Sequence, residues 1–294
     1  MAAIESPHPF ESSSPLPDLP QHRQLLDDNE SATIPRPRRS FVARIPMRQC
    51  IAECIGTAIF VAVGNGGQAQ VVLRQLMSPS PDSLATTDWT SLSTSYGLGL
   101  MLGAMVSQRI SGAHLNPAIS LMMCYLHRLP WASLLWYTLA QLIGAFLGSF
   151  LAVAVYAPLL YKVNVWNQTT AGIFATFPQP YESWPGCFLS ECVATALFAC
   201  GVCAIVDEKN TTLTHRPLLL GLCLMTVAMS MGLNTGFAMN PARDLGPRFM
   251  TWCTGWDSDG FANWYYVIPI VSPCLGALAG ATLYGLATYG DKAS

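Results

Sequence analysis

Eight residues, Ser111-Gly-Ala-His-Leu-Asn-Pro-Ala118, recur in altered form as Thr235-Gly-Phe-Ala-Met-Asn-Pro-Ala242. Both copies keep the Ser/Thr-Gly step, a Leu or Met, and the closing Asn-Pro-Ala, and both stand within apolar sequence. One Asn-Pro-Ala is common in a chain of 294 residues, but two in matched settings mark a molecule built from two related halves. The junction of those halves is the place to look for function.

The surroundings of the repeat belong in a membrane. Only 11% of residues are charged, against about a quarter in a soluble domain. Six apolar stretches, 48–73, 91–110, 131–157, 187–206, 217–234 and 264–287, are long enough to cross about 30 Å of hydrocarbon. Two more, beginning at Asn116 and Asn240, run only about ten residues and are too short to span. Each opens on Asn, a good N-cap, then Pro, which suits a first helical turn. The expectation is an all-α membrane protein of six transmembrane helices plus two half-helices. Three spans separate equivalent points of the halves, about 48–157 and 187–288, so the second half enters the membrane upside down. The result is an inverted repeat with both half-helix N-termini near the midplane.

Within this plan, residues 47–290 form the channel-like domain, and 158–186 reads as an ordered external loop. Residues 1–46 are rich in Pro, Ser and charge and lack a signal-type apolar core, so they read as a disordered tail. Arg36, Arg38, Arg39, Arg44 and Arg48 crowd the first span, and Arg128, Lys209 and Arg216 fall on the same face. The opposite face carries Arg74, Lys162 and Arg248. The positive-inside rule then puts both termini in the cytoplasm. Asn167-Gln-Thr169 is an N-glycan acceptor on the outer face, whereas Asn210-Thr-Thr212 falls on the inner one.

Net charge of −2 gives no sign of a nucleic-acid partner. Most of the ten cysteines sit in the spans as small hydrophobes. Cys200-Gly-Val-Cys203 has no histidine nearby, so no metal or cofactor is expected there.

Two polar loops at membrane depth are tolerated only where they line water or are buried in protein. Gly112-Ala-His-Leu115 and Asn234-Thr-Gly-Phe237 offer carbonyls that replace part of the hydration of a small polar solute. Asn116 and Asn240 add amide donors at the positive ends of two helix dipoles, a combination that opposes protons and cations. The bland alternative makes both asparagines simple helix caps. Arg243 follows the second motif directly, where Ile119 follows the first; it faces an aqueous path or snorkels to the interface. Glu53 and Glu191 hold matching places early in the first span of each half. They read as acceptors for backbone N–H groups of the inserted loops, or as heads at the interface; no nucleophile accompanies them for acid–base work.

The paired Asn116-Pro117-Ala118 and Asn240-Pro241-Ala242, the six spans and the two glutamates resemble the aquaporin family over roughly 48–288. Asp244, Arg248, Tyr156, Pro269, Ile270 and the stretch Ala171–Pro178 are similar to its glycerol-conducting branch. The resemblance implies a passive channel for water and small polyols, chiefly glycerol and possibly urea. It also implies a homotetramer with a pore in each subunit, set in the plasma membrane. It assigns the constriction to Tyr96, Ala228, Phe237 and Arg243, with Tyr96 and Phe237 as the apolar wall and Ala228 leaving width. Bacterial glycerol facilitators carry Trp at the Tyr96 position, so the tyrosine hydroxyl is expected to make that corner more polar. His114 stands where the family has His, in a structural or pH-sensing role. Rival readings are a water-only channel, a structural or adhesive membrane protein of the same fold, and an ion-coupled transporter.

Overall fold

The computed structural model describes residues 45–77, 88–256, 260–261 and 263–289, all within the compact unit Ala43–Ser294. The expected tail, with Arg36, Arg38, Arg39 and Arg44, lies outside the described residues apart from its last two positions. Every regular element described is helical: α1 Met47–Met77, α2 Trp89–Ser111, α3 Pro117–Tyr125, α4 Trp131–Val163, α5 Gln168–Ala171, α6 Trp184–Val206, α7 Arg216–Met231, α8 Pro241–Cys253 and α9 Ile268–Tyr289, the last preceded by a 3-10 turn at Tyr265–Val267. The six long helices answer to the six expected spans. Four of them, α1, α4, α6 and the Tyr265–Thr288 segment, are long and apolar enough to cross a membrane on their own composition. The 16 residues of α7 reach about 24 Å.

The two halves use the same contact twice. A Cβ on Gly144 or Gly148 of α4 would collide with the carbonyl oxygens of Cys54 and Ala58 on α1. A Cβ on Gly276 or Gly280 of α9 would collide with those of Cys192 and Ala196 on α6. Cys54 and Cys192 follow Glu53 and Glu191 directly, so the register is identical in both halves. Small residues bring backbones close where lipid gives no hydrophobic drive to associate, and packing does the work. A third close crossing, Gly97 of α2 on Gly221 of α7, joins one half to the other.

The sequence limits need two corrections. The third span runs on through Pro158 to Val163 because Leu160 is buried with Leu73, Phe174 and Trp256 in an apolar cluster at that end. The external loop is shorter as a result, ending at α6, whose N-cap is Ser183. Arg248, counted on the outer face, lies inside α8 and is buried. At the other end Arg128 and Arg216 both donate to the Val206 carbonyl, where cations suit the negative end of α6. Just beyond it, the Lys209 backbone N–H and the Tyr284 hydroxyl hold Asp207 below the usual carboxylate range.

Candidate functional site

The half-helices α3 and α8 start at Asn116 and Asn240, and each asparagine caps its own helix. Asn116 Oδ1 accepts from Ala118 N (2.8 Å), and Asn240 Oδ1 from Ala242 N (2.9 Å) and Arg243 N (3.2 Å). Each amide nitrogen crosses to the other half: Asn116 Nδ2 donates to Met239 O (2.9 Å), Asn240 Nδ2 to Leu115 O (2.7 Å). A primary amide has two N–H donors, so one on each asparagine stays available, and both residues line the same cavity. Capping and facing the cavity are therefore compatible.

Both loops adopt one backbone course. Gly112, Ala113 and Leu115 have positive φ (92°, 54°, 51°), as do Gly236, Phe237 and Met239 (82°, 45°, 47°). The non-glycine members of each set cost about 1–2 kcal/mol apiece and persist only because the surroundings fix them. The glutamates do much of that fixing. Glu53 accepts from His114 N (3.0 Å), Leu115 N (2.7 Å) and Gln141 Nε2 (2.7 Å). Glu191 accepts from Ala238 N (2.8 Å), Met239 N (2.8 Å) and Thr235 Oγ1 (2.6 Å). Both carboxylates are fully buried, which their three donors each make tolerable.

Tyr96, His114, Asn116, Phe237, Asn240 and Arg243 converge on a narrow cavity of about 20 Å³. One water needs about 10–15 Å³, so the cavity has room for about one water at a time. The rest of the wall is apolar: Phe60, Leu100, Phe198 and Leu224, with Ala238 and Met239. None of these four large residues stands out in the sequence from the apolar residues around it.

Arg243, 2% exposed, sits with its guanidinium carbon 4.4 Å from the Tyr96 ring centre and 5.6 Å from that of Phe237. Those two rings meet edge to face at 5.3 Å. Its Nη1 donates to the Phe174 carbonyl (3.1 Å), and its Nε has no partner among the described residues. The Tyr96 hydroxyl has partners on another helix. It donates to Asn65 Oδ1 on α1 (2.8 Å), with Gln68 Oε1 3.2 Å away. The ring face lies against Arg243.

Other candidates stand apart from the cavity. Ala228 is fully buried but outside its lining; on α7 it lies one turn after Leu224, which lines it. Asp244 and Arg248 form a buried pair that also grips the loop. Thr176 donates to Asp244 Oδ2 through its N (2.8 Å) and Oγ1 (2.6 Å), and Arg248 donates to the carbonyls of Thr176 and Gly260. Thr176 is two residues beyond Phe174, so this clamp braces the carbonyl that holds Arg243. Tyr156 packs near Gly66 of α1, and Pro269 and Ile270 lie in the first turn of α9. The carbonyl-loop residues Gly112, Ala113, Leu115, Asn234, Thr235 and Gly236 are not in the lining of this cavity. His114 is held by Ser120, Nδ1 to Oγ 3.1 Å, which also accepts from Gln141. Asn167 is exposed and caps α5.

The sequence model of the major intrinsic protein family matches residues 41–284. Aquaglyceroporin-2 of Rhizophagus irregularis is 36% identical over 263 residues, covering 86% of this chain and 81% of that one. Aquaporin-10 of Homo sapiens is 35% identical over 249 residues, covering 81% and 80%. The X-ray structure of the aquaglyceroporin from Plasmodium falciparum superposes with a TM-score of 0.72 at 28% identity, covering 81% of this chain and 95% of that one.

Proposed function

The chain belongs to the major intrinsic protein family, and from that premise we propose that it is a passive membrane channel for water and glycerol. The observation that carries this reading is the placing of Arg243 against the two aromatic rings, Tyr96 and Phe237, in a narrow cavity. Glycerol has hydroxyls along one edge and carbons along the other. Arg243 and the asparagine N–H groups serve the first edge, the rings and Leu224 the second. The arginine charge and the two half-helix N-termini repel cations, and each asparagine offers donors without an acceptor for a relayed proton. Small uncharged solutes such as urea meet the same donors.

The apolar exterior of the helices supports assembly in a bilayer, and we assign the chain a homotetramer with one pore per subunit. The described arginines Arg48, Arg128 and Arg216 support cytoplasmic termini, with residues 1–46 as a cytoplasmic tail and the plasma membrane as the site of action. As a channel it calls for no cofactor.

Stopped-flow light scattering on liposomes containing the purified protein, under water and glycerol gradients, tests the reading. Both permeabilities rise above those of empty liposomes, without proton or sodium current. Water flux with no glycerol flux would make it the water-only channel instead, and a sustained cation conductance would overturn the channel mechanism.

A further inference from the structure

Three helices are stitched together behind the constriction by polar side chains that never reach it. Asn65 of α1, fully buried, donates through Nδ2 to Ser149 Oγ of α4 (2.9 Å) and accepts the Tyr96 hydroxyl of α2 through Oδ1 (2.8 Å). Ser149, also fully buried, passes its own hydrogen to the Ala145 carbonyl (3.0 Å). Gln68, one turn on from Asn65, offers Oε1 to the same hydroxyl (3.2 Å) and donates through Nε2 to the Gly172 carbonyl in the external loop. Two residues beyond Gly172 is Phe174, whose carbonyl holds Arg243. Both faces of the constriction, the Tyr96 ring and the Arg243 head, are thus referred to the same turn of α1.

We infer that Asn65 and Gln68 are positioning residues for solute selection, and that the Tyr96 hydroxyl is the tether through which they act. This rests on the channel reading above and deepens it. An aromatic ring without its hydroxyl anchor turns about its side-chain torsions. Asn65 and Gln68 together confine that rotation, so the ring face stays against the guanidinium at 4.4 Å. Water passes a loosened ring nearly as well as a fixed one. Glycerol needs the apolar wall and the donors at a set separation, and loses contacts when the ring drifts. The signature is a change in selectivity, since a variant that merely folds less well loses both fluxes in proportion.

The experiment compares the wild type with Asn65→Leu, Gln68→Met, Tyr96→Phe and the double variant Asn65→Leu/Tyr96→Phe, each reconstituted in liposomes. The readout is the ratio of glycerol to water permeability, which does not depend on how much protein inserts. Each single variant lowers that ratio by about threefold or more, and the double variant by no more than the larger single effect, because both remove the same hydrogen bond. Tyr96→Phe, which deletes one oxygen, carries the test alone if Asn65→Leu does not fold. A ratio unchanged or raised in Tyr96→Phe, or additive effects in the double variant, overturns the tether. A wild type that passes water but no glycerol overturns the channel reading and this inference together. A wild type that passes both, with variants of unmoved ratio, overturns the inference alone.

Discussion

Arg248 holds Asp244 in a buried ion pair of 2.8 Å, each side chain 1% exposed, and so takes up the carboxylate that stands next to Arg243 in the chain. Arg243 is left to the two aromatic rings and the Phe174 carbonyl. Without Arg248, Asp244 is a buried carboxylate with only Thr176 as donor. Breaking one partner of such a pair costs about 3–5 kcal/mol, whereas removing both together costs far less. Arg248→Met should therefore lower the thermal unfolding midpoint in detergent strongly, and Asp244→Asn/Arg248→Met should recover part of the loss. A single variant that melts with the parent would show that the pair does not brace the loop.

The two glutamates lend themselves to a symmetric experiment. Each accepts two loop N–H groups and one side-chain donor, so Leu at either site orphans buried donors at about 1–3 kcal/mol apiece. Gln keeps one acceptor oxygen and part of the support. We expect Glu53→Leu and Glu191→Leu to be recovered in low yield, with the Gln variants intermediate, as read by size-exclusion profiles of the solubilised protein. Normal yield and water permeability in both Leu variants would refute the anchoring role.

Much of this architecture was legible because the repeat and the apolar runs are local signals. Asn-Pro at the head of a short apolar piece announces a half-helix whatever surrounds it. Two other features depend on partners distant in sequence. Pro158 looks like the end of a span until Leu160 is seen buried beyond it. The acceptors of the Tyr96 hydroxyl, Asn65 and Gln68, lie on another helix, although amides inside the first apolar span were a signal open to reading. Phe60, Leu100, Phe198 and Leu224 were not legible at all, because an apolar residue facing the pore and one facing lipid are the same letter in the same run. The Phe174 carbonyl was hidden for a different reason: backbone acceptors carry no side-chain signature.

Topology has its own chemical reporter. Asn167 is exposed ahead of α5, with Oδ1 accepting from Thr169 N (2.9 Å) and the amide nitrogen open to modification. Asn210 instead donates to the Ala204 carbonyl (3.3 Å) and the Tyr284 hydroxyl (3.1 Å) at the other end of the helices. In a host that glycosylates, glycosidase should shift the electrophoretic mobility of the wild type but not of Asn167→Gln. A glycan on Asn210 would mean that the chain sits the other way up.

Ala228 is where we expect polyol passage and water passage to separate most sharply. Along α7 and its C-cap, Leu224, Ala228 and Gly232 follow one another at one-turn spacing and so share a face. Leu224 lines the cavity, while a Cβ on Gly232 would come within 2.6 Å of the Phe237 ring and 3.0 Å of Trp89. Ala228 lies between these two points with no exposed surface, so a larger side chain there has no free space to enter. Histidine at this position must displace the Phe237 edge or enter the cavity, and either move narrows a passage that holds about 20 Å³. It also sets a polar ring where the carbon edge of a polyol needs an apolar wall. Each ~1.4 kcal/mol added to a barrier slows passage tenfold, and lost contacts with crowding reach that easily. Ala228→His is expected to reduce glycerol permeability by roughly tenfold or more while most water permeability remains. Stopped-flow measurement of both solutes on one liposome preparation checks this, and equal losses of water and glycerol would mean that Ala228 supports the fold without sizing the path.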